Sequence, residues 1–142
     1  MHLLTNINTL QQKITDYFAD KNEVIAVYLF GSYAAGKEMP LSDIDLALFF
    51  ESSNKEALIE KRDRYLLELG RLLRKDIHLV IMNNTGEEML KQVFSNGKCL
   101  LINDAEKHDR LKTTMFIKMA EFDYYRKQFH AGFIKSIMES RS

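Results

Sequence analysis

The chain has 142 residues, in which 20 Lys and Arg are balanced by 20 Asp and Glu, so the formal net charge is zero. That length suits a single domain over 1–142 with a buried core and leaves no room for a second large one. A neutral chain lacks the electrostatic footprint that grips long nucleic acid, which argues against a template-dependent or chain-extending polymerase.

In chain order, Met1–Leu4 is too short an apolar run for a signal peptide, and no stretch reaches transmembrane length; the expected setting is the cytoplasm, with no membrane partner. Asn6 or Asn8 is placed to cap a first amphipathic helix carrying Ile7, Leu10, Ile14 and Phe18, which ends before Asn22. Val24–Phe30 is a continuous apolar run rich in strand formers and predicts a buried strand. A second strand follows over Asp43–Phe50, and Ser53 or Asn54 then caps a helix with Leu58, Tyr65, Leu66, Leu69, Leu72 and Leu73 at helical spacing. Lys61, Arg62 and Arg71 read as its solvated face. A third strand spans Asp76–Ile81. Thr85 with Glu88 has the spacing of a capping box for a short helix through Met89, Leu90, Val93 and Phe94, closed by Gly97, and a last strand covers Lys98–Asn103. Cys99, the sole cysteine, is expected as a reduced core thiol. From about Asp104 onward, Leu111, Met115, Ile117 or Met119, Phe122, Tyr125, Phe129, Phe133 and Ile137 recur at spacings of three and four, predicting one long helix. Its aromatics and methionines either pack on the domain or serve a partner surface. Tyr124, Tyr125, Arg126 and His130 are taken as solvated or interfacial. The fold class is α/β: a small mixed sheet flanked by helices, with a core over about 1–103 and a helical segment over about 104–142.

The chemistry concentrates at Gly31-Ser32 and, ten residues later, Asp43-Ile44-Asp45. Gly31 has no Cβ and lets a triphosphate approach the backbone, while Ser32 adds a hydroxyl beside free N–H groups at the start of a short helix. Asp43 and Asp45, two apart on a strand, share a face and offer the hard oxygen ligands that Mg²⁺ (or Mn²⁺) takes together with phosphate oxygens and water. Between the two motifs lie the small-residue turn Ala34-Ala35-Gly36 and the only proline, Pro40.

This arrangement resembles the signature of the DNA polymerase β-type nucleotidyltransferase superfamily, and the length is similar to that of its minimal members. The resemblance extends from about Val24 to about Asn103. It implies that Gly31 and Ser32 bind nucleotide phosphates, that Asp43 and Asp45 hold the metal ions, and that a third carboxylate on the next strand assists the metal and draws a proton from the attacking hydroxyl. At that third position this chain has His78 where Asp is usual, with Asp76 on the same face two residues earlier. Imidazole is a poor Mg²⁺ ligand. Either Asp76 or His78 therefore compensates, His78 as a proton acceptor, or the enzyme is impaired. Ala35 stands where relatives often carry a longer polar or basic residue, and Lys37 is the candidate to supply that charge near the phosphates.

The resemblance further implies a minimal nucleotidyltransferase antitoxin: one that transfers AMP from Mg-ATP to a hydroxyl, a tyrosine in particular, of a HEPN-domain toxin, in a hetero-oligomer. The alternatives are an antitoxin that acts by binding alone and, less favoured for want of an additional domain, a small-molecule nucleotidyltransferase.

Overall fold

The computed structural model describes residues 7–51 and 54–140. Helix α1 (Ile7–Phe18) leads into β1 (Val24–Phe30), a single-turn α2 (Gly31–Ala35), β2 (Ile44–Phe50), α3 (Lys55–Leu73), β3 (Ile77–Ile81), a 3₁₀ turn at Met82–Asn84, α4 (Glu87–Asn96), β4 (Lys98–Ile102) and α5 (Ala105–Ser140). The four strands form one sheet in the order β3-β2-β1-β4. β1 runs antiparallel to β2 and β4, and β2 parallel to β3, so the sheet is mixed as expected.

All seven residues of β1 are buried. This central strand has helices on both faces, which is why its sequence is a continuous apolar run with no alternation. On one face Val27, Leu29, Leu46 and Leu48 pack against Leu10, Ile14 and Phe18 of α1 and Leu58, Tyr65 and Leu69 of α3. On the other, Ala26, Tyr28, Phe30, Ala47 and Phe49 meet Leu90 and Val93 of α4 and Met115 and Met119 of α5. The apolar stripes of α1 and α3 fall where the helical period put them, except that Leu72 is left exposed.

Polar side chains tie the layers together. The Asn103 amide donates to the carbonyls of Phe18, Lys21 and Val24 (3.1, 3.2 and 2.9 Å), tying the end of β4 to the end of α1 and the start of β1. Asn83 brackets Phe50, accepting from its N–H and donating to its carbonyl, both at 2.9 Å. The Tyr65 hydroxyl donates to Glu23, and its ring stacks on Phe50 with centroids 6.2 Å apart.

Several local expectations are corrected. β2 begins at Ile44, leaving Asp43 in the preceding loop. Asn54 caps α3, accepting from the Ala57 N–H at 3.3 Å, while Ser53 lies outside the described residues. Asn6 also lies outside them, and Asn8 sits within the first turn of α1. Thr85 forms no capping box: α4 starts one residue later, with Gly86 at its N-cap and no side-chain cap. Cys99 is exposed, because β4 is an edge strand covered over only part of its length. In α5 it is Met119, and not Ile117, that turns inward.

Helix α5 docks by its first half alone. Beyond Met119 its residues to Ser140 are exposed apart from the half-buried Asp123 and Ile137. Its foot is fixed by His108, 4 % exposed, whose Nε2 lies 2.6 Å from the Tyr28 hydroxyl with the two rings stacked. Lys91 of α4 pairs with Asp123 at 2.6 Å. Among the described residues no helix is long and apolar enough to cross a membrane.

Candidate active site

Strand register assembles the site. Phe30 at the end of β1 is opposite Asp45 of β2, and Asp45 is opposite His78 of β3, so three strands deliver these residues side by side at one end of the sheet. Gly31 follows Phe30 directly. Its φ of +72° lies in the left-handed region, and a Cβ built there would fall 2.9 Å from Asp45 Cγ and nearer still to its Oδ2. Only a glycine lets the backbone turn into α2 while pressed against that carboxylate.

Asp45 is half-buried and Asp43 exposed. Asp43 is held by a turn: the Ser42 N–H donates to the Met39 carbonyl at 2.9 Å, and the Met39 N–H to Ser42 Oγ at 2.8 Å. Pro40 occupies the second position of this turn, where its fixed φ is favourable. On the other side of Asp43 the Ile44 N–H donates to the Asp76 carbonyl at 2.9 Å, which locks the loop to the start of β3. Asp43 thus stands on a braced loop two residues before Asp45.

His78 and Asp45 are brought together, with Nδ1 3.1 Å from Oδ1. The ring sits edge-on to Phe30, centroids 6.2 Å apart, and its side chain is half exposed. An Nδ1–H donated to Asp45 leaves Nε2 free to accept a proton. Asp76 is exposed and contributes to the wall of a neighbouring cleft, and among the described residues its side chain makes no hydrogen bond or ion pair with Asp45 or His78. Lys37 is exposed in the turn after α2, its N–H donating to the Ser32 carbonyl at 2.9 Å; Ser32 itself is half-buried on α2.

The donor set fits a hard divalent cation. Among the described residues no three His, Cys, Asp or Glu side chains converge as a ready-made metal cage. Mg²⁺ does not need one, since it takes one or two carboxylates and completes its shell with substrate oxygens and water. The missing side chain at Gly31 is what lets the Asp45 carboxylate lie against the backbone that leads into α2.

Two features were missed by sequence reasoning. Arg71, assigned to a solvated face, lines that neighbouring cleft together with Arg74 and Lys75. His108 was given no role, and its burial beneath α5 has no signature in the local pattern. The clustering of Arg71, Arg74 and Lys75 around the end of α3 was the one available signal for the cleft.

Comparison with known proteins agrees with this geometry. A family model described as polymerase beta, nucleotidyltransferase matches residues 12–106. A protein of Methanocaldococcus jannaschii, provisionally named a protein adenylyltransferase, is 32% identical over 97 residues, covering 63% of this chain and 97% of its own. A chain from a toxin–antitoxin crystal structure with AMP-PNP superposes with a TM-score of 0.66 at 25% identity, covering 90% of this chain and 98% of its own. A chain from a complex of tri-AMPylated Shewanella oneidensis HEPN toxin with MNT antitoxin shares the fold, with a TM-score of 0.63 at 22% identity over 94% of this chain and 99% of its own. The motif, the mixed sheet that aligns it and a family match spanning most of the chain lead to one conclusion: this protein belongs to the polymerase β nucleotidyltransferase family.

Proposed function

We propose that the chain is an antitoxin that transfers AMP from ATP to a tyrosine hydroxyl of a HEPN-domain toxin in the cytoplasm, and so neutralises it. The observation that carries this reading is the alignment of Phe30, Asp45 and His78 across three strands, which sets Gly31 against Asp45 and His78 Nδ1 3.1 Å from Asp45 Oδ1. The AMP-PNP in a structural neighbour and the name of the M. jannaschii relative support the nucleotide and the reaction.

Asp43 and Asp45 would hold Mg²⁺ or Mn²⁺, which when bound neutralises phosphate charge and polarises the α-phosphorus. Ser32 and the backbone beyond Gly31 bind the β- and γ-phosphates, and the exposed Lys37 lies on the same turn. His78, oriented by Asp45, accepts the hydroxyl proton at Nε2. The hydroxyl oxygen forms its bond to the α-phosphorus as the bond to pyrophosphate breaks, leaving a phosphodiester on the acceptor. The α5 helix beyond Met119 presents Phe122, Tyr125, Phe129 and Phe133 to a protein partner.

A second reading, neutralisation by binding alone, is favoured by one observation: an imidazole stands beside Asp45 where a further hard ligand would serve Mg²⁺ better. Incubating the chain with α-labelled ATP, Mg²⁺ or Mn²⁺ and a HEPN-domain toxin separates the two. Label on a toxin tyrosine is the expected result; an unlabelled toxin that is nevertheless silenced refutes the transferase reading.

A further inference from the structure

A cleft of about 490 Å³ opens between the C-terminal end of α3 and the Met39–Ser42 turn, and Leu41, Leu67, Arg71, Arg74, Lys75 and Asp76 line it. It abuts the candidate active site. Ser42 in its wall precedes Asp43, and the Asp76 carbonyl holds the Ile44 N–H at 2.9 Å. Among the described residues no carboxylate lies within 4.0 Å of the charged nitrogens of Arg71, Arg74 or Lys75. Leu41 is 95% and Leu67 56% exposed beside them.

Arg74 adds an independent observation. It caps α3 in the left-handed region, φ 53°, with its N–H on the Gly70 carbonyl at 2.8 Å. Glycine is the favoured residue at such a cap, so Arg74 carries a side chain against the backbone preference. What the position gains is a guanidinium at the mouth of the cleft. Lys75, next in sequence, rests its ammonium 5.8 Å above the Tyr33 ring of α2.

We infer that this cleft docks an acidic, leucine-compatible segment of the protein acceptor, next to the hydroxyl that receives AMP; the inference rests on the transferase reading above. The phosphate cradle lies at the β1 end of the site and the proton acceptor His78 on β3, so the acceptor enters from the β3 side, where this cleft opens. Three cations without a carboxylate partner select carboxylates. The two leucines and Asp76 in the same wall suit a peptide, which brings apolar side chains and N–H donors together with its carboxylates; a phosphate chain brings neither.

The probe is a dye-labelled synthetic peptide carrying one tyrosine flanked by glutamates and a leucine, compared with its glutamine counterpart and with a single-stranded RNA of equal charge. Binding to the full chain is read by fluorescence anisotropy at low salt, ATP affinity by calorimetry, and stability by thermal melting. The wild type binds the glutamate peptide about tenfold or more tightly than the glutamine peptide, and Arg71→Glu/Arg74→Glu abolishes that preference with ATP affinity unchanged. Arg74→Gly weakens the glutamate peptide several-fold while the melting temperature holds or rises, because glycine relaxes the left-handed cap. Lys118→Glu, a charge reversal on exposed α5, changes nothing. Absence of charge preference, an equal effect of Lys118→Glu, a fall in ATP affinity in place of peptide affinity, or tighter binding of the RNA each overturns the inference. Because binding is read without transfer, a chain that shows this preference but never transfers AMP refutes the transferase reading alone. Transfer to the tyrosine peptides with no charge preference refutes the cleft alone.

Discussion

Replacing Gly31 by alanine perturbs the site at its tightest point, and Gly36 supplies the internal control. Both glycines have left-handed backbones, φ +72° and +71°, but a Cβ at Gly36 meets nothing within 4 Å, whereas one at Gly31 lies 2.9 Å from Asp45 Cγ and 3.2 Å from its Cβ. The left-handed conformation costs an alanine about 1–2 kcal/mol, and the lower entropy of the unfolded chain returns about 0.4–1 kcal/mol. Gly36→Ala therefore destabilises by about 1 kcal/mol. Gly31→Ala must in addition displace the Asp45 side chain toward an off-rotamer position, a further ~1 kcal/mol. For a domain of this size 1 kcal/mol corresponds to about 4 °C in melting temperature, so the expected losses are about 4 °C for Gly36→Ala and about 8 °C for Gly31→Ala. A displacement of ~1 Å at a reacting centre costs on the order of 100-fold in rate, so AMP transfer should collapse in Gly31→Ala and largely survive in Gly36→Ala. Differential scanning fluorimetry and Mn²⁺-dependent ATP calorimetry on the two variants measure these effects. Equal melting shifts together with wild-type Mn-ATP affinity in Gly31→Ala would refute the reasoning that the Gly31 backbone and Asp45 share one packed site.

Removing both anionic ligands in Asp43→Asn/Asp45→Asn should abolish metal-dependent ATP binding by calorimetry without lowering the melting temperature, since Asp43 is exposed and Asp45 half-buried. In the Asp45–His78 pair, His78→Ala should lower labelled AMP transfer by about 100-fold, whereas Asp76→Asn, on an exposed residue in the neighbouring cleft, should change it less than tenfold; the reverse order would reassign the proton acceptor. Burial first, and Lys112 second, hold the His108 imidazole below its usual 6.5. The unfolded chain then binds a proton that the folded chain refuses, so stability is full above about pH 6.5 and declines as pH falls through that value toward the depressed folded one. Melts from pH 7.5 to 5 should show this loss, and His108→Gln should reduce it. On the distal half of α5, Phe129→Ser/Phe133→Ser should leave the melting temperature within about 2 °C, because both side chains are exposed, and weaken association with a HEPN-domain toxin by tenfold or more in a titration; unchanged affinity would remove the helix from the interface.

The sequence by itself determined the alternation of helices and strands, the seven apolar residues of β1 and the spacing that puts Gly31, Ser32, Asp43 and Asp45 near one another. These are local properties: the periods of 3.6 and 2, turn residues at fixed offsets, and a chain short enough between Ser32 and Asp43 that its ends must stay close. Errors arose where local signals compete. Thr85 and Glu88 have capping-box spacing, yet Gly86 takes the N-cap. Ile117 and Met119 both fit the stripe as open alternatives; packing against the sheet selects Met119. The tertiary structure alone decided that β3 lies parallel to β2 in the register that sets His78 beside Asp45, that Arg71, Arg74 and Lys75 line one cleft, and that His108 is buried against Tyr28. The Asp45–His78 and Tyr28–His108 contacts join residues 33 and 80 positions apart. Register and burial between distant segments follow from how whole faces pack, and no local period encodes them.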